Sequence, residues 1–177
     1  MKTFSRIAKP LLIVFVLLIS VSANAQKEKL QTAFIYQLTR LVEWCPEGKE
    51  GAFVIGIVGY EPTLFAELQT LQYRKVGGQP VEVKLYPTLS DIGKSNILFV
   101  PDSEFDKIDQ IASKATGACS LIVSDRYGAA RRGVGAGVTL YYNTSMGKIE
   151  FEINKKYMKD KSLSVNDQLY SLATNVY

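Results

Sequence analysis

The chain predicts an α/β fold: a mostly parallel sheet with helices on both faces and an antiparallel hairpin added near the end. Short continuous apolar runs recur along it, "AFVIGIVG" (Ala52–Gly59), "NILFVP" (Asn96–Pro101) and "CSLIVSD" (Cys119–Asp125). Such runs are the pattern of strands covered on both faces. Stretches of helical period separate them, and strand–helix alternation builds parallel sheets. Late in the chain "VTLYY" and "KIEFEIN" flank "NTSMG", which reads as a hairpin with a five-residue connection.

Taken in order, residues 1–25 read as a signal peptide. Lys2, Arg6 and Lys9 precede the apolar run "LLIVFVLLISVSA", and Ala23-Asn24-Ala25 supplies a small-x-small cleavage site before Gln26. The run falls short of the roughly 20 residues of a spanning helix. No cysteine stands at the cleavage point to carry a lipid. An exported chain of residues 26–177, folded as one domain, is expected, with no membrane insertion after cleavage. Taking the three signal-peptide cations from the formal +4 leaves +1. Nucleic-acid binding needs clustered excess cation on the domain itself, so it is excluded here.

"KEKLQTAFIYQLTRLVEW" (Lys27–Trp44) predicts an amphipathic helix with Leu30, Phe34, Leu38, Leu41 and Trp44 on its core face, ended by Pro46 and Gly48. Trp44 is expected to pack in the core. "EPTLFAELQTL" is helical, with Pro62 in the first turn. "VEVKLY" alternates as a strand after the "GGQP" break. "SEFDKIDQIASKA" reads as a helix capped by Ser103 or Asp102, and a last helix is expected from about Val165.

Few residue patterns point to chemistry. Glu150 and Glu152 share one face of a strand, roughly 6.6 Å apart. Lys148 and Asn154 share that face, so it reads as solvated rather than catalytic; catalytic carboxylates need environments that split their pKa values. "GVGAG" (Gly133–Gly137) precedes a strand, whereas phosphate-binding glycines lie between a strand and a helix. Arg131 and Arg132 beside it read as exposed loop cations. The chain has no histidine, which excludes a Ser-His-Asp arrangement and removes the commonest metal ligand. No metal, cofactor or catalytic residue is expected. Gly59, Ser124 and Asp125 lie where parallel strands should end, the edge at which such folds take ligands. Cys45 and Cys119 stand in an oxidising compartment, where they either pair or remain as two buried thiols.

Several stretches together resemble the YfiR-like family of periplasmic regulatory proteins. They are "TAFIYQLTRLVEW" (Thr32–Trp44), "FVIGIVG" with "EP" after it (Phe53–Pro62), "NILFVPDSE" (Asn96–Glu104), "LIVSD" (Leu121–Asp125), "RRGVGAGVTLYY" and "KIEFEINKKYMKDKSLSVNDQLYSLA". The resemblance covers nearly all of residues 26–177, with Cys45 inserted between Trp44 and Pro46 where the family commonly has Pro directly after Trp. It implies a Rossmann-like three-layer domain acting without catalysis in the periplasm. It further implies binding to the periplasmic part of an inner-membrane sensor, of diguanylate cyclase or histidine kinase type, with cyclic-di-GMP as output in the first case. A homodimer is also implied. The alternative is a periplasmic module that binds a small ligand at the Gly59–Ser124–Asp125 edge.

Overall fold

The computed structural model describes residues 26–115, 119–131 and 133–177. The expected signal peptide and Arg132 lie outside the described residues. Helix α1 covers residues 26–41. After it come β1 (Val42–Glu43), β2 (Phe53–Val58), α2 (Pro62–Gln69), β3 (Lys75–Val76), β4 (Gln79–Tyr86), β5 (Ile97–Val100) and α3 (Ile108–Lys114). The second half adds β6 (Leu121–Ser124), β7 (Val138–Asn143), β8 (Lys148–Ile153), α4 (Lys155–Asp160), β9 (Ser164–Val165), α5 (Asp167–Leu172) and β10 (Asn175–Val176).

Eight strands form one sheet in the order β10-β8-β7-β6-β5-β2-β4-β3. Strands β4, β2, β5, β6 and β7 run parallel, and β8 closes back on β7 as an antiparallel hairpin. The apolar runs alternate sides as strands buried on both faces must. Phe53, Ile55, Ile57, Ile97, Phe99, Leu121 and Val123 meet Ile35 and Leu38 of α1 and Leu64 and Leu68 of α2 in one core. Leu98, Val100 and Ile122 face Ile108 and Ile111 of α3 in a second. This is the sheet covered on both faces that the alternating elements predict, and the Rossmann-like three-layer domain that the resemblance implies. No helix among the described residues is long and apolar enough to cross a membrane.

The departures are local. Helix α1 stops at residue 41 because Val42 and Glu43 pair with Val165 and Ser164 in a separate antiparallel ladder. The buried residues of α1 are Gln31, Thr32, Ile35, Leu38 and Thr39, and Leu41 is 37% exposed. Trp44 lies beyond the helix in extended chain, buried edge-on against Phe53 at 5.0 Å, its Nε1–H donated to the Thr39 carbonyl at 3.1 Å. Asp102 and Ser103 do not cap a helix from outside it. They sit within a 3₁₀ turn, Asp102–Lys107, that leads into α3. The hairpin register pairs Asn143 with Lys148, so only residues 144–147 form the connection. The short strand β10, parallel to β8, escaped the periodicity argument because two residues show no period.

Asn96, at the start of β5, ties the bottom of the sheet together. Its Oδ1 accepts from Val54 N at 2.9 Å and its Nδ2 donates to the Gly48 carbonyl at 2.8 Å, all buried. Asn96→Ala removes the side-chain partner of both backbone groups, so we expect a loss of about 1–3 kcal/mol. Urea denaturation monitored by circular dichroism measures it. A change within about 0.5 kcal/mol, the usual range for surface substitutions, would show that Asn96 is not a structural tie.

Candidate functional site

In open α/β sheets the crevice for ligands lies beyond the carboxyl ends of the strands, where the strand order reverses. Here β2 stands between β4 and β5, so the reversal falls between β2 and β5, with Gly59, Pro101 and Asp125 at the strand ends. Gly59 turns the chain with φ +80°, and a Cβ there would lie 2.7 Å from Glu104 Cγ. The first turns of α1 lie over this edge. Lys27 Nζ is 2.8 Å from Asp125 Oδ2, and Gln31 Nε2 donates to the same oxygen at 3.4 Å. Asp125 Oδ1 accepts the Asp102 N–H at 2.8 Å. Asp125 thus supplies, from the neighbouring strand, the cap that the 3₁₀ turn lacks within its own sequence.

Charge is concentrated at this edge. Burial raises the Glu61 pKa, and the nearby Asp125 carboxylate adds to it, while Lys27 opposes. Burial lowers the Lys27 pKa, but the hydrogen bond and charge of Asp125, with Glu28 and Glu61, more than offset it, leaving the ammonium above its ordinary value. The edge expected to take a ligand is occupied by the chain's own Lys27 and Gln31.

A second polar constellation adjoins it. The ladder pairs Ser124 with Thr139, Thr139 with Glu152 and Glu152 with Asn175, so four polar residues run in register across β6, β7, β8 and β10. Ser124, Thr139 and Glu152 are fully buried. Each accepts a backbone N–H from the loop above. Arg126 N donates to Ser124 Oγ at 3.2 Å, Ala130 N to Thr139 Oγ1 at 2.8 Å and Gly128 N to Glu152 Oε2 at 3.1 Å. The other oxygen of Glu152 accepts from Asn175 Nδ2 at 2.9 Å and Tyr177 OH at 3.1 Å.

The Glu150–Glu152 face is therefore not solvated as expected. A loop and the tail cover Glu152. Glu150 accepts from Tyr141 OH at 2.6 Å and lies 3.3 Å from Lys148 Nζ. The Tyr141 hydrogen bond, ahead of the Lys148 and Asn143 contacts, holds the Glu150 carboxyl below its usual range. Burial and that same bond push Tyr141 up to about 12. Above this pair, Tyr127 meets Tyr141 edge-on at 5.0 Å and carries the Arg131 guanidinium over its ring at 5.3 Å. Every acid on β8 is committed to an internal partner, so neither is placed as a general acid or base. Ser124 accepts a loop N–H and has no histidine to activate it. The glycines of "GVGAG" lead directly into β7 rather than into a helix, which leaves no helix N-terminus for a phosphate.

At the opposite end of the sheet, Cys45 and Cys119 are joined, their Cα atoms 5.9 Å apart. Their sulfurs and a Glu47 oxygen lie within 4.8 Å of one another. The bond between the sulfurs removes the thiolates that a metal would need, and one carboxylate remains. Sequence reasoning did not place Lys27, Gln31 or Thr139 at this end of the sheet, and it read Glu152 as solvated. Their signal was faint: Gln31 in the middle of an apolar helix face, and a β-branched and aromatic "NVY" at the tail.

A family model described as YfiR/HmsC-like matches residues 28–174. No curated protein matches the chain. Among solved structures, a conserved domain protein from Vibrio cholerae O1 biovar El Tor superposes with a TM-score of 0.58 at 13% identity, over 82% of this chain and 60% of that one. The ABC domain from Streptococcus pneumonia in complex with L-Trp gives 0.54 at 14% identity, over 86% and 60%. The chain thus spans about 60% of the length of each, and at these identities the likeness is one of fold.

One outcome tests the constellation and another the Cys45–Cys119 link. Glu152→Gln sets an amide group among three donors, and we expect a loss of about 1–3 kcal/mol together with faster deuterium exchange at Gly128 and residues 175–177. Unchanged exchange in both segments would show that Glu152 does not hold loop and tail. Alkylation of the denatured, unreduced protein is expected to label neither cysteine, and the double Cys→Ser variant to cost about 2–4 kcal/mol. Full labelling of Cys45 and Cys119 would mean free thiols.

Proposed function

This chain belongs to the YfiR/HmsC-like family, whose members are periplasmic regulators of signalling proteins, and from that premise we propose that it binds the periplasmic part of an inner-membrane sensor and controls its output without catalysis. The observation that supports this reading is the commitment of Ser124, Asp125, Glu150 and Glu152 to internal partners. A chain that spends its polar side chains on holding loops is suited to presenting a shaped surface. Residues 1–25 direct export and are then cleaved, and residues 26–177 act as a single domain, as a homodimer. The sensor is of diguanylate cyclase or histidine kinase type; in the first case its output is cyclic-di-GMP.

A second reading keeps a small ligand at the Gly59–Ser124–Asp125 edge. Its support is the position of that edge at the reversal of strand order. It requires Lys27 and Gln31 to yield Asp125 to the ligand. In-cell crosslinking of the tagged exported chain, followed by mass spectrometry of membrane fractions, separates the two. The regulator reading expects one inner-membrane sensor to be enriched, and the sensor's cytoplasmic domain then names the output. Crosslinks to self alone would overturn it in favour of the ligand reading.

A further inference from the structure

A groove lies at the end of the molecule opposite the strand carboxyl ends, between the last turn of α1 and the β3–β4 turn. It encloses about 360 Å³ and is lined by Thr39, Arg40, Trp44, Lys49, Lys75 and Val76, among others. Its charged lining is cationic throughout: Arg40 comes from α1, Lys49 from the 3₁₀ turn Pro46–Lys49, and Lys75 from β3. Among the described residues none of the three is ion-paired; the salt bridges engage other cations. An adjoining depression of about 400 Å³ shares Arg40, Trp44 and Lys49. Its one acid, Glu43, accepts a hydrogen bond from Ser164 at 3.0 Å.

Solvated surface cations are ordinary, and Arg40 by itself is explained by the negative end of the α1 dipole. That explanation does not extend to Lys49 and Lys75, which reach the groove from separate elements. Nor is the pattern general over this nearly neutral chain. A second large depression, of about 540 Å³, mixes Glu50, Glu82 and Asp91 with Lys84 and Lys94. Three like charges brought together in a concavity repel one another and focus a positive potential there. The groove floor is apolar, since Trp44 and Val76 are buried beneath it at 6% and 7% exposure.

We propose that this groove binds a small organic anion, its carboxylate or phosphate group held by Arg40, Lys49 and Lys75 and its apolar part resting on Trp44 and Val76. The site is distinct from the sheet edge considered above, and the inference does not depend on the regulator reading. Guanidinium and ammonium donors from three directions match an oxyanion with several acceptor oxygens. Volumes of this size are those of small-molecule sites.

Trp44 is the chain's one tryptophan, so a single indole N–H resonance reports on the groove. Its hydrogen bond to Thr39, itself a lining residue, couples that resonance to any occupant. Phenyl phosphate, titrated at constant ionic strength, is expected to shift it saturably, and benzyl alcohol is not. Arg40→Gln with Lys75→Gln is expected to weaken binding at least about tenfold. Arg74→Gln, at a cation placed over the Tyr36 ring, leaves binding unchanged. Sedimentation with phosphatidylglycerol and phosphatidylcholine vesicles identifies the source of the anionic group. Anionic-vesicle binding lost in the double variant, together with the phenyl phosphate response, assigns it to a lipid headgroup; the phenyl phosphate response alone assigns it to a soluble anion. A non-saturating shift, an equal response to benzyl alcohol, full binding by the double variant, or vesicle binding without a phenyl phosphate response would each overturn the proposal.

Discussion

Backbone N–H groups that leave the carboxyl edge of a buried sheet must find acceptors, because an unpaired buried donor costs about 1–3 kcal/mol. In this protein the acceptors are side chains at the strand ends. Asp125 takes the N–H of Asp102, Ser124 that of Arg126, Thr139 that of Ala130 and Glu152 that of Gly128. Four residues on three neighbouring strands thus set the course of two loops. The tail is fastened to the same row through Asn175 and Tyr177. Gly128, at φ +78°, allows the loop to turn its N–H down onto Glu152.

That constraint shapes what the molecule can do. Polar groups engaged in holding backbone are not free to polarise a substrate, and the reversal point is further closed by Lys27 and Gln31 on Asp125. The two ends of the sheet differ: Asp125, Ser124, Thr139 and Glu152 hold backbone at one, whereas the opposite end carries the Cys45–Cys119 link and a cationic groove beside Trp44.

Legibility followed the strength of the local signal. Phe53–Val58, Ile97–Val100 and Leu121–Ser124 are apolar without interruption, and only a strand covered on both sides gives that run. Pro62 fell in the first turn of α2 as expected, since proline lacks the N–H that a helix start leaves unpaired. The face of α1 was misjudged by a residue or two because Gln31 and Thr39 are polar yet buried, so the hydrophobic period pointed slightly away from the core. Alternation placed Glu152 opposite Phe151 and Ile153 correctly. It could not tell that a distant loop and the chain's last residues would cover the second face.

What the amino-acid order determined alone is the layer architecture, the positions of the six longer strands and the near neutrality of residues 26–177. Each of these depends on residues within a few positions of one another, through period, capping and charge. Only the tertiary structure decided which polar groups meet. Lys27 and Asp125 are 98 residues apart in the chain, and Cys45 and Cys119 are 74 apart. Arg40, Lys49 and Lys75 converge from three elements. Contacts of that kind exist only once the crossovers have brought remote segments to a common edge, and no local pattern encodes them.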